Sequence, residues 1–513
     1  MKVVVVGGGH NGLVCACYLA KAGHEVVVLE QSDQPGGGSR TEETVPGYRF
    51  DTHSVAHNII NMTSIPRELD LAGAGLAYLE MDPFATAVFE DGRRVRFHRS
   101  VERTVASIAE TDRGEADAYG AFMANALPLV SAATLGLGGG GVDRKAVRRL
   151  LRGAPALARM ARRRGLGLPA ELLGSYDRLL RSNLPSDFTR GPVAAFAAHA
   201  GASPLQAGSA FFGLWQAAYH LHGQWHAKGG AQGLTDALVH RLGSFGGRVR
   251  RNAPVARLDA TSGRVRAAIL EDGERVEAEA TITAIDPRTA LLGLLDPPLQ
   301  GRAGAQLRAT HSANSVQALV HVATDRLPPY TGARPGDWNG LQSFVDSLGS
   351  LSASFAAADA RRLPPRPAAA YAFTTSAIDD TLAPPGHHTV YLACPSAPYR
   401  VDGGWDAASE ALTEDLLDQM EARAPGFRDS IRGLSVQTPE LMERRLRWPG
   451  AHPMHLDVTL DQLALLRPTA ALAGHRVPGV ENLCVTGAGT APVGGIAGSP
   501  GRAAARALLK DAS

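Results

Sequence analysis

The chain has 513 residues, 44% of them hydrophobic and 20% charged, with a formal net charge of +2. That balance lacks the basic excess of a nucleic-acid binder, and the length suits roughly two to four domains, or one large cofactor domain with insertions. No run of about eighteen apolar residues occurs and no charged-then-apolar leader precedes the first strand, so the expectation is a protein neither secreted nor membrane-spanning.

In chain order, the opening MKVVVVGGGHNGLVC reads as a buried strand of β-branched residues, a glycine turn and a helix over 13–21. Gly7, Gly9 and Gly12 fit G-x-G-x-x-G: the first turns the chain, the second admits a pyrophosphate to the backbone, and the third lets helix and strand pack closely. A second strand over 25–29 ends in Glu30, an acid placed to accept hydrogen bonds from ribose hydroxyls, which disfavours a 2′-phosphate. Together these predict a βαβ dinucleotide site, serving nicotinamide or flavin alike. Cys15 and Cys17 are two apart on the predicted helix and point away from each other; with Cys394 and Cys484 they give no disulfide framework, and the expected compartment is reducing and cytoplasmic. A second G-x-G-x-x-G match at residues 136–141 has no strand leading into it and is expected to be a flexible loop.

Five residues after Glu30 begins PGGGSRTEE, in which Gly36, Gly37 and Gly38 again let backbone approach a ligand. The stretches VPGYRFDTHSVAHNII, KGGAQGLTDALVHRLGSFGGRVRRNAPVARL, GERVEAEATITAIDPRTAL, HPMHLDVTLDQLALLRP and ENLCVTGAGTAPVGGIAGSPGRAAARALL follow in order. At these residues the sequence resembles the FAD-binding carotenoid desaturases, the phytoene desaturase-like proteins, and more distantly the flavin amine oxidases. The resemblance implies FAD as cofactor, held by Gly7, Gly9, His10, Asn11, Gly12, Glu30, Gln31, Gly36, Gly37, Gly38, Ser39, Arg40, Val255, Gly487, Gly489, Thr490, Gly495 and Ile496. A short strand over 482–486 entering a glycine turn, then a helix from about Gly495 to Leu509, also suits the negative charge of a reduced flavin. There is a departure: many relatives carry an arginine directly after the glycine pair and a basic residue two before it, where this chain has Gly38 and Gln34. Arg40 either compensates or is a surface residue.

The resemblance implies an α/β fold: a Rossmann-like FAD-binding domain (βαβ with a three-layer ββα sandwich) over 1–70, 224–292 and 476–513, and a discontinuously inserted α+β substrate domain over 71–223 and 293–475. Residues 102–222 read mainly as helices, and SVQALVHVA and HHTVYLACP as strands of a sheet facing the flavin. Residues 144–164 carry nine positive charges and no acid with apolar residues at helical spacing; such a helix either packs on its domain or lies on an anionic bilayer as a peripheral contact.

The implied chemistry is dehydrogenation (desaturation) of a hydrophobic or natural-product-like small molecule by hydride transfer to flavin N5, with oxygen, a quinone or another carrier as electron acceptor. Ketolation or redox-neutral isomerisation of a carotenoid, amine oxidation, and a non-catalytic flavoprotein binding module stay open. The scarcity of lysine (Lys2, Lys21, Lys145, Lys228 and Lys510) weakens the amine-oxidase alternative, whose members commonly hold a lysine near N5. Candidate acid or base residues are His53, His57 and His455, chosen because unperturbed histidine titrates near neutrality. No histidine, cysteine or carboxylate spacing indicates a metal.

Overall fold

The computed structural model describes residues 1–138, 171–199, 201–492 and 494–510, with side chains described except at 135–138. The basic segment 144–164 lies outside the described residues.

The four opening valines are almost completely buried because both faces of their strand are covered. Lys2–Val6 is the middle of a five-stranded parallel sheet in the order Leu483–Val485, Ala280–Thr283, Lys2–Val6, Glu25–Leu29, Arg248–Arg250. Alternation along the strand then sends side chains to two different cores. Val3 and Val5 pack with the helices His10–Lys21, Gln232–Ser244 and Ser499–Leu509, whereas Val4 and Val6 pack with Leu258, Val265 and Ala268 of a second sheet. That sheet is a four-stranded array of Arg275–Glu277, Arg264–Leu270, Val255–Thr261 and Leu295–Asp296. Helices, the parallel sheet and this mixed sheet, antiparallel but for Leu295–Asp296, make the three layers of the Rossmann-like domain, assembled from separated stretches of chain.

Contact between the first and last helices depends on missing side chains. A Cβ at Gly501 would lie 2.1 Å from the Asn11 carbonyl oxygen, and one at Gly12 would lie 2.2 Å from that of Gly7. These glycines bring the two helices and the first glycine turn into backbone contact.

The substrate domain is built on a seven-stranded sheet ordered Ile431–Gln437, Ser315–Thr324, His388–Pro398, Tyr371–Phe373, Leu341–Ser343, Ala85–Val88, Arg94–Phe97. Period-two alternation again divides its side chains. Ala372, Val390, Leu392 and Cys394 face the helix Trp405–Arg423, while Tyr371, Phe373 and Tyr391 face the helical region that contains Phe196, Leu214 and Tyr219. A short antiparallel pair, Tyr78–Glu80 with Trp225–Ala227, ties together the two ends of the first insertion.

Two local expectations are corrected. The glycine run at 136–141 does not begin as a loop: the helix Arg113–Gly138 continues through its first three residues, beyond which 139–141 lie outside the described residues. Buried Val130 and Thr134, the latter donating to the Val130 carbonyl at 2.9 Å, hold that end of the helix. The C-terminal helix starts at Ser499, not near 495, because Gly495 and Gly498 adopt positive φ (75° and 67°) and keep the intervening backbone non-helical.

Candidate active site

The first turn after Lys2–Val6 forms a cradle. Gly7, at φ 103°, donates its amide to the Leu29 carbonyl and redirects the chain into the helix, whose N-cap Gly9 has no side-chain cap. The orphan amides of that first turn therefore face outward, as an anion site requires. A Cβ built on Gly9 would find its nearest neighbours, Gly36 and Gly37, 4.0 Å away, so the space beside it is open. Glu30 is already oriented: one carboxylate oxygen accepts the Gly8 amide at 2.8 Å, and the other accepts the Ser32 amide at 3.0 Å and hydroxyl at 2.7 Å. A carboxylate offers about four acceptor positions, so one remains for a ribose hydroxyl.

The cradle opens into a continuous cavity of about 740 Å³. Of the residues anticipated for the cofactor, Gly7, Gly9, His10, Asn11, Glu30, Gln31, Gly37, Gly38, Arg40, Val255, Gly487, Gly495 and Ile496 line it. Gly12, Gly36, Ser39, Gly489 and Thr490 do not line it and act on the backbone behind. Gly36, at φ 134°, pairs with Gly9 and leaves no room for a Cβ, which would meet the Ser39 carbonyl oxygen at 2.5 Å. Ser39 donates its hydroxyl to the Ala231 carbonyl, and Thr490 donates both amide and hydroxyl to the Gly487 carbonyl. The His10 ring donates to the Gly495 carbonyl at 3.0 Å, stitching the N-terminal cradle to the C-terminal glycine turn.

Beyond the glycines the cavity continues into a lobe walled by Phe196, Phe211, Phe212, Trp215, Tyr219, Tyr371, Phe373 and Tyr391. These eight aromatic side chains carry no charge, and among the described residues the carboxylates lining the cavity are Glu30, at the cradle, and Asp286. None of Lys2, Lys21, Lys228 and Lys510 lines the cavity, and Lys145 lies outside the described residues.

The three candidate histidines have different places. His53 and His455 line the cavity, each with a buried ring nitrogen (Nε2 and Nδ1 respectively) that has no protein partner. His57 does not line it; its Nδ1 contacts the Tyr78 hydroxyl at 3.2 Å. Burial pushes all three below the ordinary histidine value: His53 well below, His57 to about 3 and His455 to about 4. Each is a neutral imidazole at physiological pH. His455 is also held at φ 64°, its carbonyl accepting from Arg288 and Ser312 at 2.9 Å each, a left-handed conformation unusual for a non-glycine residue. Among the described residues, no three histidine, cysteine or acidic side chains converge as a metal site.

A family model described as flavin containing amine oxidoreductase matches residues 12–509. The chain belongs to that family. FAD is its cofactor, and the uncapped helix start, the open space beside Gly9 and the buried unpartnered Arg40 Nε and Asn11 Oδ1 fit a dinucleotide. The chain is 30% identical to the pyridine nucleotide-disulfide oxidoreductase domain-containing protein 2 of Mus musculus, over 99% of this chain and 93% of that protein. It is 26% identical to the 4,4'-diapolycopen-4-al dehydrogenase of Metabacillus indicus (97% and 94% covered), and 25% to the lycopene-forming phytoene desaturase of Pantoea ananas (98% of each). A putrescine oxidase variant shares the fold, with a TM-score of 0.61 at 17% identity over 100% of this chain and 98% of that one.

Several residues of this flavin-containing family member's cavity escaped the motifs. Asp286 lines it and caps Thr289 at 2.9 Å; Arg467, almost wholly buried, donates to the carbonyls of Met454, Leu456, Asp457, Gln462 and Ala488. Trp448 packs between His53 and His455, with ring centroids 4.7 and 5.9 Å away, and Arg445 lines the cavity three residues before it. Asp286 had a readable signal in its strand-ending Asp-Pro, and Arg467 is readable in HPMHLDVTLDQLALLRP as a residue that orients the substrate or shapes the fold; Arg445 and Trp448 converge only through the fold.

Proposed function

We propose that this FAD-dependent oxidoreductase dehydrogenates an elongated, hydrophobic small molecule, introducing a double bond. The uncharged aromatic lobe, continuous with the cofactor cradle, carries the reading. FAD, when bound, supplies the hydride acceptor at N5. Tyr371, Phe373 and Tyr391 present one face of the substrate sheet and Phe196 and Tyr219 the opposing helical wall, so an apolar chain is held and water excluded on two sides. The cavity is lined by Leu460 and Gly208, the latter bonded to the Leu173 carbonyl, and both leucines are exposed, which suits an apolar ligand. The neutral rings of His53, His199 and His455 each line the cavity with a buried nitrogen that has no protein partner, and are available to accept the proton that accompanies hydride removal. An amine substrate would have no counter-charge in the described lobe, which argues against amine oxidation here.

The relatives whose names record a phytoene desaturase and a diapolycopenal dehydrogenase are consistent with this substrate class. The test is anaerobic titration of the FAD-loaded protein with apolar polyenes and with amines. Bleaching of the flavin by a polyene, with a product lighter by two hydrogens, supports the proposal. A product of unchanged mass points to isomerisation, one containing added oxygen to ketolation, and bleaching by amines alone overturns it. Reoxidation in the presence of oxygen, a quinone or another carrier then identifies the electron acceptor.

A further inference from the structure

The side of the cradle next to Gly38 carries an incompletely balanced positive charge. A Cβ at Gly38 would lie 2.8 Å from Trp448 Cη2, so the indole occupies the direction a side chain at 38 would take. The same segment that brings Trp448 brings Arg445, and Arg40 faces the cavity beside it. Both guanidinium groups share one carboxylate: Arg40 Nη2 is 2.9 Å and Arg445 Nη1 3.4 Å from Glu42. Two cations on one anion leave a net positive charge. Arg40 is only 6% exposed, and its Nε, with the Nε and Nη2 of Arg445, is buried without a protein partner. Burial, with Arg40 adding to it against the opposing pull of Glu42, holds Arg445 below the usual arginine value, as expected of a guanidinium awaiting an anion.

We propose that Arg445 joins Arg40 in a guanidinium clamp on the pyrophosphate of FAD, standing in for the basic group that Gly38 and Trp448 exclude. The location argues for that anion: Gly37 and Gly38 line the same wall, and Gly37 lies against Gly9 of the phosphate turn. Paired guanidinium forks suit phosphate oxygens. Glu42 holds the clamp in place and weakens it by competing for the same donors. The inference rests on FAD occupying the cradle, and its test separates the two ideas.

Apoprotein is titrated with FAD by quenching of flavin fluorescence, and with ADP as a competitor that carries the diphosphate without the flavin. Arg445→Met should weaken both by about ten- to hundredfold, with Arg445→Lys intermediate and the salt dependence of binding reduced in Arg445→Met. Glu42→Gln should move the opposite way, tightening ADP and widening the gap in melting temperature between the FAD-loaded and apo forms. Failure of wild-type protein to bind FAD would overturn the cofactor assignment. Unchanged FAD and ADP affinity in Arg445→Met, whether or not substrate KM rises, would overturn the clamp and assign Arg445 to another anion. If Arg445→Met does not fold, Glu42→Gln decides alone: an unchanged or narrowed gap refutes the clamp.

Discussion

Replacing Gly9 and Gly12 by alanine, one at a time, should separate binding from folding. Both belong to one hexapeptide, yet their surroundings differ. At Gly9 the backbone is already extended (φ −68°, ψ 164°) and the nearest heavy atoms to a new Cβ are 4.0 Å away, so alanine meets neither strain nor a clash. The apoprotein should keep its stability or gain about 0.4–1 kcal/mol from the stiffer unfolded chain. The methyl group, however, fills space the pyrophosphate needs. Losing one charge-assisted hydrogen bond to a first-turn amide costs about 1.5–3 kcal/mol, or roughly ten- to hundredfold in FAD affinity. At Gly12 a Cβ meets the Gly7 carbonyl oxygen at 2.2 Å and Ala284 Cβ at 2.9 Å, both on rigid backbone or core, and overpacking of this kind costs about 1–3 kcal/mol or more. Denaturant unfolding of the apoprotein and fluorescence titration with FAD read the two effects separately. A Gly9→Ala protein that binds FAD like wild type, or a Gly12→Ala protein as stable as wild type, would refute the assignment of these roles.

Three other perturbations test different parts of the site. Glu30→Ala removes an acceptor that already orders Gly8 and Ser32, so FAD affinity should fall by about ten- to hundredfold while riboflavin, which has a ribityl chain but no ribose, is unaffected; equal losses for both ligands would contradict a ribose contact. His226, fully buried and 3.1 Å from Asp379, keeps a raised folded pKa despite desolvation because Asp379 and Asp51 favour its charged form, while the partnered Asp379 is lowered to about 2. The histidine's share of stability is thus complete below its unfolded value of 6.5 and lost as pH rises through its raised folded value; the aspartate's is complete above 3.8 and lost as pH falls through about 2. The melting-temperature difference between wild type and His226→Gln should therefore be largest near pH 5.5 and shrink towards pH 9, and a constant difference would remove the charged histidine from the account. Arg467→Met strips the donors from five buried carbonyls and should cost at least about 3 kcal/mol in denaturant unfolding; near-neutral stability would mean that water replaces the guanidinium.

The legible parts of the molecule are those whose causes are local. A run of valines, a glycine that must turn the chain and an acid at the next strand's end are adjacent in sequence because the βαβ unit is a short-range object, and the carboxylate of Glu30 does reach back to the Gly8 amide. The return of the chain to the parallel sheet near 280 and 483 is legible for the same reason: each stretch carries its own strand signal beside a glycine turn or an Asp-Pro. The helix start near Gly495 is misread because G-x-x-G-S-P allows two boundaries, and only packing shows that Gly495 and Gly498 take left-handed backbone. The histidines show a different limit. Their residue type predicts titration near neutrality, but the desolvation that holds His455 at about 4 comes from a cavity assembled from both domains.

The pairing of Gly38 with Trp448 shows why the cavity's chemistry was the least legible part. At residue 38 the sequence presents a glycine where the resemblance to the carotenoid desaturases implies an arginine in many members, and read locally this is a loss of cofactor affinity. In the fold the vacant direction is filled from 410 positions away, and the segment that fills it also carries Arg445 to Glu42 and the cradle. Neither substitution is sensible alone: an arginine side chain at 38 would run into the indole, and Arg445 without an anion would be a buried charge without full compensation. Such a pair has no periodicity and no motif, since its members are coupled by volume and charge instead of by sequence spacing. It follows that cofactor affinity here is a property of the contact between the Rossmann-like domain and the 439–448 segment of the inserted domain. Substitutions in that segment should therefore alter FAD retention as well as substrate turnover, even though none of them lies within the G-x-G-x-x-G motif.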